Sequence, residues 1–193
     1  MRVAELRRLL PHARGAHGIA RRYFVTNGFD GAFTMLGLMA GFYLGGGEAL
    51  GVALQASLGA AVALGMSGLS SAYLSESAER KRELQELERA LITDLDDSDV
   101  GRASRLVPVV VAVVNGLSPL LVSLLIMTPL WLAQNGLALP LSPFLLAALL
   151  ALLLMFLLGV VLARLSRESW LWSGLRALAI GGGTVLIILA VSF

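Results

Sequence analysis

The chain has no cysteine, and its two histidines, His12 and His17, both lie near the amino terminus. Without cysteine the protein forms neither a disulfide bond nor a thiolate metal site, so a bound metal must use oxygen or thioether ligands. The sequence also lacks a glycine-rich phosphate loop, a His-Glu-Xaa-Xaa-His helix and a Ser–His pair, which would indicate a nucleotide-driven pump or a protease. These absences predict a protein that is not an enzyme.

Charged residues are scarce as well, at 15% of the chain, whereas 57% of the residues are hydrophobic and the mean hydropathy is +0.81. Several apolar runs reach about 20 residues, the length that an α-helix needs to cross a bilayer. A soluble domain with a single core does not contain such runs. The composition therefore predicts an all-α, polytopic integral membrane protein whose surroundings are the lipid bilayer.

The apolar runs predict five transmembrane helices, at about 24–46, 49–74, 106–133, 143–163 and 171–193. Between the second and third lies a polar segment in which Leu84, Leu87 and Leu91 recur at helical spacing, which predicts a short amphipathic cytosolic helix ending near Asp94. We therefore expect one membrane domain in three parts. These are the basic amino-terminal segment with the first two spans (1–75), the charged cytosolic helix (76–105) and the last three spans (106–193).

The basic residues predict the orientation of this arrangement. All fifteen lie before the first span, between the second and third, or around the link between the fourth and fifth, and the other two links contain no Lys or Arg. The positive-inside rule makes the basic side the cytoplasm. The amino terminus is thus expected inside and the carboxyl terminus on the opposite side. Because topology accounts for the basic residues, no nucleic-acid partner is expected.

One carboxylate, Asp30, interrupts the first predicted span and is flanked by Gly28 and Gly31. An ionisable group at membrane depth costs about 3 kcal/mol on insertion scales, and such groups usually lie on an ion or proton path. The alternative is a structural ion pair with Arg22 or Arg176. The pattern favours the path over the ion pair.

Glycine recurs every four residues along the same predicted span, at Gly37, Gly41 and Gly45. Small residues at this spacing let another helix approach closely, because no side chain holds its backbone away. The repeat fits a homodimer contact and packing against a neighbouring span of the same chain equally well.

Three stretches of the chain resemble one family. They are 27–31 (Asn-Gly-Phe-Asp-Gly) with 38–41 (Leu-Met-Ala-Gly), 73–75 (Tyr-Leu-Ser) before a charged helix, and Gly159, 162–166, 173–176 and Gly181 near the end. Together they make the chain similar to the vacuolar iron transporter family over most of its length. The resemblance implies a homodimer of five-helix subunits that exports ferrous iron or manganese from the cytosol in exchange for protons, with no permanently bound cofactor.

The chain also departs from that family's pattern. In the family, a methionine and a glutamate near the end of the second span are implicated in metal handling, and counting back from Tyr73 places Gly68 and Ala72 at these positions. Met66 lies two residues from the expected methionine, and the cytosolic segment is shorter than the family's three-helix insert. A second function therefore stays open, a non-transporting membrane scaffold with the same fold.

Other side chains are chemically adequate for a divalent metal. Fe²⁺ and Mn²⁺ accept carboxylate, amide and carbonyl oxygens, and Fe²⁺ also tolerates a thioether. In the third span, Pro119 frees a backbone carbonyl. Methionines in so apolar a chain are more often packing residues. The candidate ligands along the path are Asp30, Asn27, Thr34, Met66 and Asn115.

The charged segment supplies a second candidate site. Four carboxylates spaced 3, 4 and 3 residues apart share one helix face and are suited to capturing cations before they enter the membrane, as the resemblance implies; they are Glu76, Glu79, Glu83 and Glu86. The alternative is a solvated helix laced with both charges, since four basic residues interleave with them: Arg80, Lys81, Arg82 and Arg89.

Overall fold

The computed structural model describes residues 14–46, 50–166 and 168–191. These residues form six α-helices and no strand: α1 (Arg14–Leu44), α2 (Leu50–Leu91), α3 (Asp99–Ile126), α4 (Thr128–Gln134), α5 (Pro143–Ser166) and α6 (Trp170–Val191). In this part of the chain four helices, α2, α3, α5 and α6, are long and apolar enough to cross a membrane. The protein is accordingly an all-α, multi-pass membrane protein.

Helix α1 is not among those four, although it lies at the centre of the bundle. It is 31 residues long, enough to span a bilayer, but Thr26, Asn27 and Asp30 make its middle polar. It contacts each of α2, α3, α5 and α6. Its buried side carries Met35 and Met39, which are fully buried in the main core. Its apolar residues lie on the side that packs against these helices, and the polar residues on its other side lower its mean hydropathy, so hydropathy alone does not detect it.

Helix α2 runs unbroken through the predicted boundary at residue 75. Its 42 residues span about 63 Å at 1.5 Å per residue, more than the thickness of a bilayer. The sequence from 69 to 100 contains no glycine or proline and is rich in strong helix formers, so nothing breaks the helix there. We call residues 76–91 the charged extension.

The separate cytosolic helix expected over 76–105 is therefore the end of α2 and the start of α3, joined by a short link. Helix α2 ends at Leu91 rather than near Asp94, and Ile92 adopts a left-handed conformation with φ of 51°. The amide of Thr93 then donates to the carbonyl of Glu88 (3.2 Å), which closes the helix end. On the other side of the link, the Ser98 hydroxyl accepts a hydrogen bond from the Gly101 amide and caps α3.

The predicted third span is divided in two at Met127. Proline at position 129 cannot donate to the carbonyl of Leu125, and the hydroxyl of Thr128 donates to that carbonyl instead, at 2.8 Å. Helix α3 accordingly stops at Ile126, and α4 continues for two turns. Helices α5 and α6 lie within three residues of their predicted limits, because the polar stretch 166–169 separates the two apolar runs and Pro143 opens the first.

Candidate functional site

Two of the predicted ligands meet where α1, α2 and α3 cross. The side-chain amide of Asn27 donates to Oδ1 of Asn115, and Nδ2 of Asn115 donates to the backbone carbonyl of Gly68 at 2.6 Å. Asn27 also donates to the carbonyl of Tyr23 in its own helix (2.9 Å). We call Asn27, Asn115 and the Gly68 carbonyl the asparagine junction. It joins three helices through uncharged groups, and Asn115 is buried within it.

Glycine makes this junction possible. A Cβ on Gly68 would lie 2.9 Å from the backbone oxygen of Asn115, and one on Gly31 would lie 2.7 Å from that of Pro119. No side chain fits at either position without moving a backbone. Gly68 is also the position that the resemblance assigns to a methionine, and Ala72 follows it in the buried stripe of α2. In this chain both positions contribute to the contact between α2 and α3.

Asp30 lies one turn beyond Asn27 on α1 and is exposed. Within the described ranges, no ion pair involves Asp30. Arg176, the partner considered for a structural pair, instead lies 3.6 Å from Glu168 and stacks on the ring of Trp172 at 5.5 Å. Among the residues that the structure describes, the carboxylate therefore has no cation partner.

Small and polar residues line the same side of α1 as Asp30. At 100° per residue, Thr26, Thr34, Gly37 and Gly41 all lie within about 40° of Asp30 around the helix. We call these five residues the open face of α1. Thr26, Asp30 and Gly41 are exposed, and Thr34 and Gly37 are half-buried.

The glycine repeat on this face is not filled by the same chain. A Cβ on Gly41 would meet nothing within 4 Å, and one on Gly37 would meet only the tip of Ile188 at 3.9 Å. One on Gly45 would contact only carbonyl groups of its own preceding turn. Neighbouring spans of this copy therefore leave the repeat open.

The remaining predicted ligand is separate from these groups. Met66 is on α2 but points away from the buried stripe that carries Gly65 and Gly68, and 59% of its surface is exposed. The predicted set is thus divided: Asn27 and Asn115 are in contact, Asp30 and Thr34 share the open face, and Met66 faces outward.

In the charged extension, three of the four glutamates have a basic partner. Arg80 lies 3.5 Å from Glu76 and 2.7 Å from Glu83, and Arg82 lies 3.0 Å from Glu86. The hydrogen bond to Glu86, followed by the charges of Glu86 and Glu79, raises the pKa of Arg82 above its ordinary value. Glu76 is nearly buried as the last residue of the α2 stripe, whereas the other three are exposed.

A further group of carboxylates forms where the end of α2 meets the link between α2 and α3. Ligand oxygens of Glu88, Asp94 and Asp96 lie within 4.8 Å of one another. Glu88 accepts a hydrogen bond from the Leu95 amide and Asp94 accepts one from the Asp96 amide, so two of these carboxylates shape the link. Helical periodicity does not predict this group, because the group combines one residue of a helix with two residues of the link.

Comparison with known proteins gives one relative without an assigned activity. The chain is 27% identical over 161 residues to the uncharacterized protein MJ0645 of Methanocaldococcus jannaschii, which covers 82% of this chain and 81% of the relative. No protein-family model and no solved structure matches the chain.

Proposed function

We propose that the protein is a membrane transporter that moves a divalent metal ion, Fe²⁺ or Mn²⁺, out of the cytosol in exchange for protons. The observation that carries this proposal is Asp30, an exposed carboxylate in the middle of the central helix that pairs with no cation in the described part of the chain. Left against lipid, such a group is costly, by about 3 kcal/mol on insertion scales. A transported cation or a proton would offset that cost, and the resemblance of 27–31 and 38–41 to an iron transporter span supports the same cation.

A homodimer formed through the open face of α1 is part of this proposal. Gly37 and Gly41 would let the two copies of α1 approach closely, and a two-fold axis would bring the two Asp30 carboxylates towards each other. Two carboxylates balance the charge of one divalent cation. The same groups bind protons once the cation leaves, so exchange needs no further machinery.

The other predicted ligands have supporting places in this arrangement. Asn27 and Thr34 lie one turn on either side of Asp30 and offer amide and hydroxyl oxygens, which suit Mn²⁺ and Fe²⁺. Asn115 holds Asn27 through the asparagine junction. Met66 remains a candidate thioether ligand from the exposed side of α2.

The proposed topology has five spans, with α1 as the first. Its 31 residues are long enough, and its polar face would be covered by the second copy. The fifteen basic residues then place the amino terminus and the charged extension in the cytoplasm and the carboxyl terminus outside. Glu76, Glu79, Glu83 and Glu86 would thus concentrate cations at the cytosolic entrance.

The test is Asp30→Asn in proteoliposomes, with Mn²⁺ uptake and proton movement measured together. Asparagine keeps the shape and an oxygen ligand but cannot carry the charge or the proton. We expect coupled transport to be lost while Tm stays within about 2 °C of the parent protein. Asp97→Asn, the same change in the exposed link, should transport normally.

Two results would contradict the proposal. Retention of coupled transport in Asp30→Asn would remove the carboxylate from the path. Absence of both Mn²⁺ transport and a Mn²⁺-dependent rise in Tm in the parent protein would instead favour the non-transporting scaffold, because a ligand that binds only the folded state raises its Tm. The use of Gly68 and Ala72 for helix packing is the observation that favours this second candidate.

A further inference from the structure

Glu76 is placed differently from the other acidic residues of the charged extension. Its exposed fraction is only 9%, and its Oε2 atom is buried and accepts no hydrogen bond. The Nε atom of Arg80 is likewise buried and donates none. The two atoms lie 3.5 Å apart, close enough for an ion pair without a hydrogen bond. A buried carboxylate therefore has a lone-pair position that the chain does not use.

The guanidinium of Arg80 bridges two carboxylates of the same helix. Its second contact, from Nη1 to Glu83, is a close one at 2.7 Å. Two negative charges thus surround one positive charge, so the group has a net charge of −1. The Arg80 side chain is thus the cation that both Glu76 and Glu83 contact.

Space for this side chain to move lies directly beside it. A cavity of about 240 Å³ is lined by Arg80, Glu83, Ser104 and apolar residues of α2 and α3. This volume holds several water molecules, and hence also a displaced guanidinium. The backbone is held in place, because the Ser104 hydroxyl donates to the carbonyl of Arg80 at 3.0 Å. Movement can therefore be confined to the side chain.

We propose that Arg80 is a tethered counter-cation that occupies a divalent-cation site formed by Glu76 and Glu83, and that an incoming cation displaces its guanidinium into the adjacent cavity. Capture at the entrance is then self-limiting: the metal binds only when its concentration is high enough to compete with Arg80. The nature of the cation rests on the proposed function, whereas competition by Arg80 rests on this geometry alone.

The test is Mn²⁺ binding to the purified full-length protein, followed by the electron paramagnetic resonance signal of free Mn²⁺. Arg80→Gln removes the competitor and should tighten Mn²⁺ binding by about fivefold to tenfold. Arg82→Gln is the matched control. It removes the same charge two residues further along, where Arg82 forms a solvent-exposed ion pair with Glu86. It should change the affinity less than about twofold.

A double variant assigns the gain to the proposed ligands. Glu76→Gln combined with Arg80→Gln should return the affinity to that of the parent protein or below it. Equal effects of Arg80→Gln and Arg82→Gln, or a gain that survives the loss of Glu76, would overturn the inference. If Arg80→Gln does not fold, Arg80→Lys decides. Lysine keeps the charge but cannot bridge both carboxylates through a planar group, so it should compete less than Arg80 and Mn²⁺ should bind more tightly. An unchanged affinity in Arg80→Lys would then contradict the competition.

Failure of this inference is distinguishable from failure of the proposed function. Binding is measured without a membrane gradient, and repeating the arginine variants in an Asp30→Asn background removes any Mn²⁺ held at Asp30. A protein that binds Mn²⁺ more tightly as Arg80→Gln but does not transport would disprove the transporter and leave the site. A protein that transports Mn²⁺ with equal affinity in both arginine variants would disprove only the competition.

Discussion

The two sides of α1 are built from similar small residues but are used in opposite ways. On the inner side, Gly31 lies against the backbone of Pro119 so closely that no side chain fits. On the open face, Gly41 has nothing within reach, although it belongs to an equally regular glycine repeat. The fold of one copy explains the inner glycines completely. No described residue covers Gly41, and in the proposed function a second copy would cover it together with Asp30.

The largest expected effect separates the two sides by stability. Gly31→Ala places a methyl group 2.7 Å from the Pro119 carbonyl and should cost about 2 kcal/mol, or roughly 4–8 °C in Tm for a chain of this size. Gly41→Ala meets no atom of its own copy within 4 Å and replaces glycine by a better helix former, so in a detergent that keeps the protein monomeric its Tm should stay equal or rise slightly. Thermal unfolding of both variants in one detergent checks this. A comparable loss in both would show that the open face is packed.

The second prediction concerns what covers the open face. Because the natural chain has no cysteine, a single introduced cysteine reports one contact without background. We expect Gly41→Cys to form a disulfide-linked dimer in oxidised membranes, since both copies would present the same position near the axis. Leu149→Cys, on the exposed side of α5, is the control and should stay monomeric on a non-reducing gel. Equal cross-linking at the two positions would indicate random collision.

The smallest effect concerns the polar group on the inner side. Asn115→Ala leaves the Asn27 amide and the Gly68 carbonyl without their partner and should lower the stability by about 1 kcal/mol. Ser70→Ala removes a hydroxyl that donates only within its own exposed helix turn, and should cost a few tenths of that. Melting curves of the two variants measure the difference. Equal Tm values would mean that the asparagine junction adds no stability between helices.

Sequence reasoning located the apolar helices better than it located their ends. Helices α5 and α6 were predicted within three residues, because an abrupt change from polar to apolar residues marks their limits. Helix α2 continues past residue 75, because the apolar run ends there while the helix-forming residues do not. Hydropathy indicates whether a helix lies in an apolar or a polar environment, whereas glycine, proline and capping residues indicate where it stops. Helix α2 ends at Leu91 without a glycine or proline nearby, so its end could not be predicted in this way.

The candidate site could be predicted as residue types but not as contacts. Asn27 and Asn115 were both selected as polar groups within apolar spans, yet they are 88 residues apart and their hydrogen bond depends on how α1 and α3 cross. Asn115 donates to the carbonyl of Gly68, which is a backbone group and cannot be recognised from a residue type in the sequence. The burial of Glu76 was equally hidden, because its helix face is defined by α3 rather than by its own sequence.

Helix α2 is long and unbroken, so a small tilt at one point along it displaces its far end by a larger distance. From the carbonyl of Gly68 in the asparagine junction to Leu91 the helix runs for about 35 Å, so a tilt of 10° about the junction would carry its tip through about 6 Å. A rearrangement too small to resolve beside Asn115 would become a displacement that a pair of spin labels at Leu91 could measure. Because Ser104 and the short link tie the charged extension to α3, the start of α3 would move with it.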